Sequence, residues 1–270
     1  MPELPEVETI RRQLCAAGIE GRKITGVEIN WYRLCEPVAP PEFSKRLLHR
    51  TIKKLDRHGK WLIFQLTGKE NLLVHLRMTG GFYLSTGRLK KGQHDRAVLK
   101  LSGGLNLHFR DPRKFGRWKL AAGAPEKLGP DALTVTKKEF FEQFTKKNKA
   151  LKALLLDQEF IAGVGNIYAD EALFEAKLHP LRKSGTLTPT EREQLYRAVV
   201  KVIRAGVKNK GTSLGDGQGN FTDLNGESGG YRVKVKAYGR AGEPCESCGI
   251  PLEKITVAQR TTVFCPGCQK

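Results

Sequence analysis

Gly123-Ala124-Pro125-Glu126-Lys127-Leu128-Gly129-Pro130-Asp131-Ala132-Leu133-Thr134-Val135-Thr136 divides this 270-residue chain into two unlike halves. Pro125, Gly129 and Pro130 interrupt any regular period, which marks a linker. Upstream, from Ile24 to Leu120, short apolar runs alternate with glycine-bearing turns. Ile24–Ile29, Trp61–Leu66, Leu72–Leu76, Ala97–Leu101 and Leu105–Phe109 read as strands, and several at this spacing predict a sandwich or barrel. Thr86–His94 between them is a basic loop. Downstream the period becomes helical, with helices expected over Lys137–Lys147, Ala150–Ile161 and Asn166–Lys177. Thr188-Pro189-Thr190-Glu191 is a capping-box pattern with proline at the first helical position, so a further helix is expected over Thr188–Asn209. Gly211–Gly230 carries seven glycines in twenty residues and reads as a mobile loop. Arg232–Lys236 after it reads as a basic strand. The fold class is therefore α+β and multidomain.

Lys and Arg total 47 against 28 Asp and Glu, a net charge of +19. Residues 1–136 hold 25 basic and 13 acidic residues (+12), and residues 137–270 hold 22 and 15 (+7). Two basic halves suit a polyanion gripped from both sides. A hydrophobic fraction of 39% argues against a disordered chain. No apolar run approaches the ~18 residues of a membrane span, and no charged-then-apolar leader opens the sequence. A cytosolic, non-membrane protein is expected.

Cys245-x2-Cys248 and Cys265-x2-Cys268 are separated by sixteen residues. Thiolates in close pairs at this spacing suit one tetrahedral zinc in a β-hairpin finger, and four such ligands leave no open position, so the zinc is structural. Lys254 and Arg260 lie between the pairs, where a hairpin can present them to phosphate. Cys15 and Cys35 are left over as reduced thiols. Gly163-Val164-Gly165-Asn166-Ile167-Tyr168-Ala169-Asp170-Glu171 is either a plain helix–helix turn or a helix N-terminus whose N–H groups hold a phosphate, with Asn166 as cap or contact. Asp111-Pro112-Arg113-Lys114-Phe115-Gly116-Arg117 is a turn with three cations and a ring. Phe115 either packs in the core or wedges into a base stack.

Met1-Pro2-Glu3-Leu4-Pro5-Glu6-Val7-Glu8-Thr9 begins a helix on one reading: Pro5 opens it, Leu4, Val7, Ile10 and Leu14 share a face, and Gly18 ends it. The sharper reading concerns nitrogen. Removal of Met1 exposes the Pro2 secondary amine, which titrates near pH 8, so roughly a tenth is neutral at pH 7. Such an amine can attack an electrophilic carbon and form an imine, with Glu3 and Glu6 beside it for proton transfer.

Together, Met1–Thr9, Gly59-Lys60, His75-Leu76-Arg77-Met78-Thr79-Gly80, Asp111–Gly116, Gly163–Glu171 and the four cysteines resemble the bacterial formamidopyrimidine-DNA glycosylases, the Fpg branch of the Fpg/Nei family. The motifs occur in family order along nearly the whole chain. The resemblance implies an N-terminal β-sandwich catalytic domain with flanking helices (1–128), a linker (129–136), a helix–two-turn–helix domain (137–235) with a lesion-covering loop (211–230), and a zinc finger (236–270). Damaged double-stranded DNA would lie between the halves of a monomeric, nucleoid-associated cytoplasmic enzyme. Excision of 8-oxoguanine and formamidopyrimidines, then β,δ-elimination, is the implied activity. Pro2 maps onto the nucleophile, Glu3 onto the proton-transfer group, Glu6 onto a supporting carboxylate and Lys60 onto a lysine needed for excision. Met78, Arg113 and Phe115 match the trio that fills the void left by the extruded base. His75, Asn166, Tyr238, Lys254 and Arg260 match phosphate contacts, Lys152 a residue near the lesion, and His94 closes the basic loop as a further DNA contact. The loop reads Thr212-Ser213-Leu214-Gly215-Asp216-Gly217 where the family has Thr-x-Arg, and is a few residues longer, which puts lesion preference in doubt. Two alternatives remain: a Nei-type enzyme for oxidised pyrimidines, and a non-catalytic zinc-ribbon DNA-binding protein.

Overall fold

The structure, a computed structural model, describes residues 1–144, 147–214 and 221–270. The end of the expected Lys137–Lys147 helix and the middle of the 211–230 loop lie outside the described residues. The chain forms two compact units: Met1–Glu126 with Asn209–Gly230, and Lys127–Lys208 with Tyr231–Lys270.

The first unit begins with α1 (Leu4–Ala16), whose Leu4, Val7, Ile10 and Leu14 are wholly buried. Gly18 follows with φ +69°, the left-handed conformation that ends a helix at least cost for glycine. β1 (Ile24–Ile29), α2 (Pro40–Leu47) and β2 (Ile52–His58) follow, then β3 (Trp61–Leu66), β4 (Asn71–His75), β5 (Gly81–Thr86), β6 (Asp95–Leu101), β7 (Leu105–Arg110) and β8 (Arg117–Ala121). They pair as two four-stranded antiparallel sheets, β1-β6-β7-β5 and β2-β3-β4-β8. Alternation along the strands sends Leu62, Phe64, Leu72 and Val74 of one sheet and Ala97, Leu99, Leu107 and Phe109 of the other into a single apolar core, which α1 and α2 also join.

The second unit contains α3 (Lys137–Phe144), α4 (Leu151–Leu156), α5 (Asn166–Glu175), α6 (Pro189–Lys208) and the hairpin of β9 (Glu253–Val257) and β10 (Arg260–Phe264). The capping box holds as expected: Thr188 N–H donates to Glu191 Oε2 at 2.8 Å and Glu191 N–H to Thr188 Oγ1 at 3.3 Å.

Four expectations need correction. The 129–136 linker is packed structure: Ala132 N–H donates to the Ala162 carbonyl at 3.0 Å, Ala162 N–H to that of Pro130 at 2.9 Å, and Ala132 and Val135 are buried. The expected Ala150–Ile161 helix stops at Leu156, because Asp157 Oδ1 accepts the Glu159 N–H at 3.0 Å and offers the backbone a turn instead. Arg232–Lys236 is no strand; Tyr231–Lys234 form one 3-10 turn. Gly211–Gly230 belongs with the first unit, and its described ends are fastened there: Thr212, Ser213 and Asp223 are buried, and Phe221 joins the core.

Candidate active site and nucleic-acid interface

Pro2, Glu3 and Glu6 come together at the start of α1, all three buried, while Met1 is 41% exposed. With Met1 attached, the Pro2 nitrogen is an amide. The Glu6 carboxylate serves two backbones, accepting the Glu3 N–H on Oε2 at 2.8 Å and the Thr212 N–H on Oε1 at 2.6 Å. Gly211 permits that approach, since a Cβ on it would sit 2.7 Å from Glu6 Oε1 and its φ is +84°. Two residues on, Glu8 meets Arg11 at 2.9 Å, Arg12 at 2.7 Å and Arg57 at 3.1 Å. Burial pushes the Glu8 carboxyl up, but the hydrogen bonds of Arg11 and Arg12 and the charges of Arg11 and Arg57 outweigh it and hold the group at about 2. Arg57 Nη1 also donates to the Gly59 carbonyl at 2.9 Å. Glu8 and Arg57 thus tie α1 to the two-residue β2–β3 turn, Gly59-Lys60, where Gly59 has φ +57° and Lys60 is buried.

His75 pairs in register with Trp61 on β3, and their rings meet edge to face at 4.9 Å. Burial and the charges of Arg77 and Lys60 lower its pKa to about 3, so the imidazole is neutral at physiological pH. Its Nδ1 accepts the Arg77 N–H at 3.0 Å, which places the ring proton on Nε2 as a directed donor.

Thr79, next to Met78, is clamped to the Asp111–Gly116 turn. Thr79 Oγ1 donates to Asp111 Oδ1 at 2.5 Å and accepts the Arg113 N–H at 3.3 Å; Asp111 Oδ2 accepts the Gly116 N–H at 2.7 Å. Arg113 and Phe115 are left outside, with the guanidinium 4.9 Å from the ring centroid and Phe115 44% exposed, so Phe115 is not a core residue. The half-buried His94 is joined to this turn through its carbonyl, which accepts the Asp111 N–H at 2.9 Å. Thr79 and Asp111 as the joint went unassigned in sequence, where nothing marks a bond across 32 residues.

In the second unit α5 is the hub. Gln158 braces the preceding turn, accepting the Gly163 N–H at 2.9 Å and donating to the Val164 carbonyl at 2.8 Å. Gly165 is the N-cap; Asn166 is the first helical residue, not the cap, and its Nδ2 donates to the Thr261 carbonyl of β10 at 3.0 Å. Asp170 accepts the Val263 N–H of β10 at 3.2 Å. Glu171 collects the N–H groups of Lys236, Ala237 and Tyr238 at 2.8–2.9 Å, which is why that stretch cannot pair as a strand. Burial pushes Asp170 up to about 6 despite the Lys152 ammonium, and pushes Glu171 up as well. One helix therefore places Asn166, Tyr238 and the hairpin carrying the exposed Lys254 and Arg260. The Lys152 side chain is fully buried, and its Nζ donates to Asp170 Oδ1 at 2.6 Å and to the Asn166 carbonyl at 2.9 Å. Asp170 and Glu171 lie inside the Gly163–Glu171 motif, and two adjacent acids between Ala169 and Ala172 were the available signal.

The four cysteines fit one zinc. A tetrahedron with Zn–S bonds of about 2.3 Å has S···S edges of about 3.8 Å. Cys245 and Cys268 Sγ are 3.9 Å apart, Cys248 and Cys265 Sγ 3.4 Å, and all four lie within 4.8 Å of one another. A zinc held by the four thiolates would cross-link the finger, whose Cys245, Leu252, Val263 and Cys265 share a small core with Phe174 of α5 and Ala237.

Three family models match: the formamidopyrimidine-DNA glycosylase N-terminal domain over residues 1–118, the formamidopyrimidine-DNA glycosylase H2TH domain over 128–217, and the zinc finger found in FPG and IleRS over 242–270. The chain belongs to the formamidopyrimidine-DNA glycosylase family. It is 41% identical to the formamidopyrimidine-DNA glycosylase of Herpetosiphon aurantiacus, with all of both chains covered, and 42% identical to that of Pelotomaculum thermopropionicum, with 100% and 99% covered. A Lactococcus lactis FPG mutant complexed with Fapy-dG containing DNA superposes with a TM-score of 0.89 at 34% identity, covering all of both chains. The L. lactis Fpg complex with abasic-site DNA gives 0.87 at 34%, covering 99% of each.

Proposed function

We propose that this protein is a bifunctional DNA glycosylase and abasic-site lyase of base excision repair that removes oxidised purines, formamidopyrimidines and 8-oxoguanine among them. Its relatives are named formamidopyrimidine-DNA glycosylases, and solved neighbours hold Fapy-dG and abasic-site DNA. The observation that carries the chemistry is the buried start of α1, where Pro2 stands beside two buried carboxylates. Once Met1 is removed, the Pro2 amine attacks C1′ of the damaged nucleotide and the base departs. The resulting imine acidifies the C2′ protons, so successive eliminations expel the 3′ and 5′ phosphates. Glu3 assists proton transfers at the sugar, and Glu6 keeps the helix start closed through the Glu3 and Thr212 N–H groups.

A base inside the duplex is out of reach, and extruding it costs a few kcal/mol. Met78, Arg113 and Phe115 offset that by filling the gap, with Arg113 hydrogen-bonding the orphaned cytosine. Lys60 and the Nε2–H of neutral His75 hold phosphates beside the lesion, and His94 extends the contact along the basic loop. Asn166, Tyr238, Lys254 and Arg260 hold further phosphates from the second unit. Lys152 contributes by fixing the Asn166 turn. The zinc is structural, and no step passes through it. Damaged duplex DNA is the partner of a monomer acting in the cytoplasm at the nucleoid. None of the described helices is long and apolar enough to cross a membrane.

Borohydride trapping on a duplex with one 8-oxoguanine opposite cytosine tests the reading. A covalent adduct mapped to Pro2 is expected; no adduct, or one on an internal lysine alone, would sink it.

A further inference from the structure

Trp31-Tyr32-Arg33, between β1 and α2, takes no part in the chemistry above. Tyr32 is 53% exposed, so core packing does not account for it. The Arg33 guanidinium lies 5.6 Å from the Tyr32 ring centroid, and its Nε donates to the Tyr32 hydroxyl at 3.0 Å. On the other side the Trp31 ring stands 5.0 Å from Tyr32, tilted by 54°. The Lys114 ammonium rests over Trp31 at 4.5 Å. Lys114 has φ +61° and lies between Arg113 and Phe115, which form a cation–ring pair of their own. Cations and rings therefore lie side by side in one unit: Arg33 on Tyr32, Tyr32 against Trp31, Lys114 on Trp31, then the Arg113–Phe115 turn. The acid facing Arg33, Glu36, is 3.9 Å away, and both side chains are half or more exposed, so screening leaves little of that pair.

We propose that Tyr32 and Arg33 form a second nucleic-acid contact, Tyr32 stacking on a base and Arg33 pairing with a phosphate of the strand opposite the lesion. The assignment to that strand rests on the function proposed above, in which Arg113 meets the orphaned base; Lys114, the next residue, carries the strip from there to Tyr32. Rings interleaved with cations are what unstacked bases on a charged backbone require. A wedge loosens the base steps beside it, so bases flanking the orphan are the cheapest to displace onto a waiting ring. The site would be tolerant of sequence, because every base offers a π face.

The test uses full-length protein and a duplex with a tetrahydrofuran abasic analogue, carrying 2-aminopurine in the undamaged strand next to the orphaned base. Wild type should quench 2-aminopurine on binding. Tyr32→Ala should weaken binding roughly tenfold and lose the quenching, while Tyr32→Phe keeps both. Arg33→Ala should lower the salt slope of log Kd by about 0.9, one phosphate's worth. Absence of quenching in wild type, Tyr32→Ala within twofold of wild type, or an unchanged slope in Arg33→Ala would each overturn the proposal. Borohydride crosslinking of the same samples to natural abasic-site DNA separates the two readings. Failure at Pro2 with the Tyr32 and Arg33 effects intact overturns the chemistry and leaves the strip standing, and the reverse result does the opposite.

Discussion

The two units bury carboxylates in opposite ways. At the start of α1, Glu8 is surrounded by three guanidinium groups and held at about 2, a charge kept charged. In α5, Asp170 and Glu171 sit among apolar side chains and are pushed up, Asp170 to about 6, although each is hydrogen-bonded. The first arrangement keeps a full negative charge at the start of α1. The second suits a joint: the acids are there for the N–H groups and the ammonium they collect, and the cost of burying them is the cost of holding loops still.

Breaking each arrangement should therefore do different things. Glu3→Gln should cut excision by at least a hundredfold, as loss of a proton-transfer group does, with little change in melting temperature or in affinity for abasic-analogue DNA; a parallel fall in affinity would make Glu3 structural. Lys152→Met should act on stability instead. Orphaning a buried acid costs about 3–5 kcal/mol, and because Asp170 already stands near 6 and can take up a proton, the loss should shrink as the pH drops below 7. A melting temperature that falls equally at pH 5 and pH 8 would refute this. Glu8→Gln should lose on the order of 2 kcal/mol at pH 7.

The pH signs of the two units are opposed. Glu8, depressed to about 2, stabilises the first unit above its ordinary value near 4.5, and that stability is lost as pH falls from there toward 2. Asp170, raised from 3.8 to about 6, favours the folded second unit at low pH and loses that contribution as pH rises through 6. Hydrogen exchange at pH 3 and pH 6, resolved by segment, should show α1 loosening on acidification while α5 does not. The smallest effect is a null one: His75, lowered to about 3, should show no imidazole NMR shift between pH 8 and pH 5.

Periodic and local features were legible in the sequence. The Leu4-Val7-Ile10-Leu14 face, the Thr188–Glu191 box and the cysteine spacing each depend on neighbours a few residues away, and each is found as expected. What was not legible depends on partners far along the chain. The alternation of Arg232–Lys236 reads as a strand until Glu171 claims the N–H groups beside it. Seven glycines in Gly211–Gly230 read as mobility, yet Thr212 is held by Glu6, 206 residues away, and the Leu224 N–H donates to Gln13 at 2.9 Å. The site residues were visible as types; that Thr79, Asp111 and Asp170 aim them was not, because their partners lie far along the chain.

The membership of Asn209–Gly230 in the first unit also has a consequence for synthesis. The chain leaves that unit after Glu126 and returns to it at Asn209. A nascent chain of 126 residues thus has both sheets of that unit but lacks the Thr212 N–H that Glu6 accepts. That partner arrives about 5–20 s later at ~5–20 residues per second. The start of α1, first to leave the ribosome, is among the last parts of the molecule to be completed.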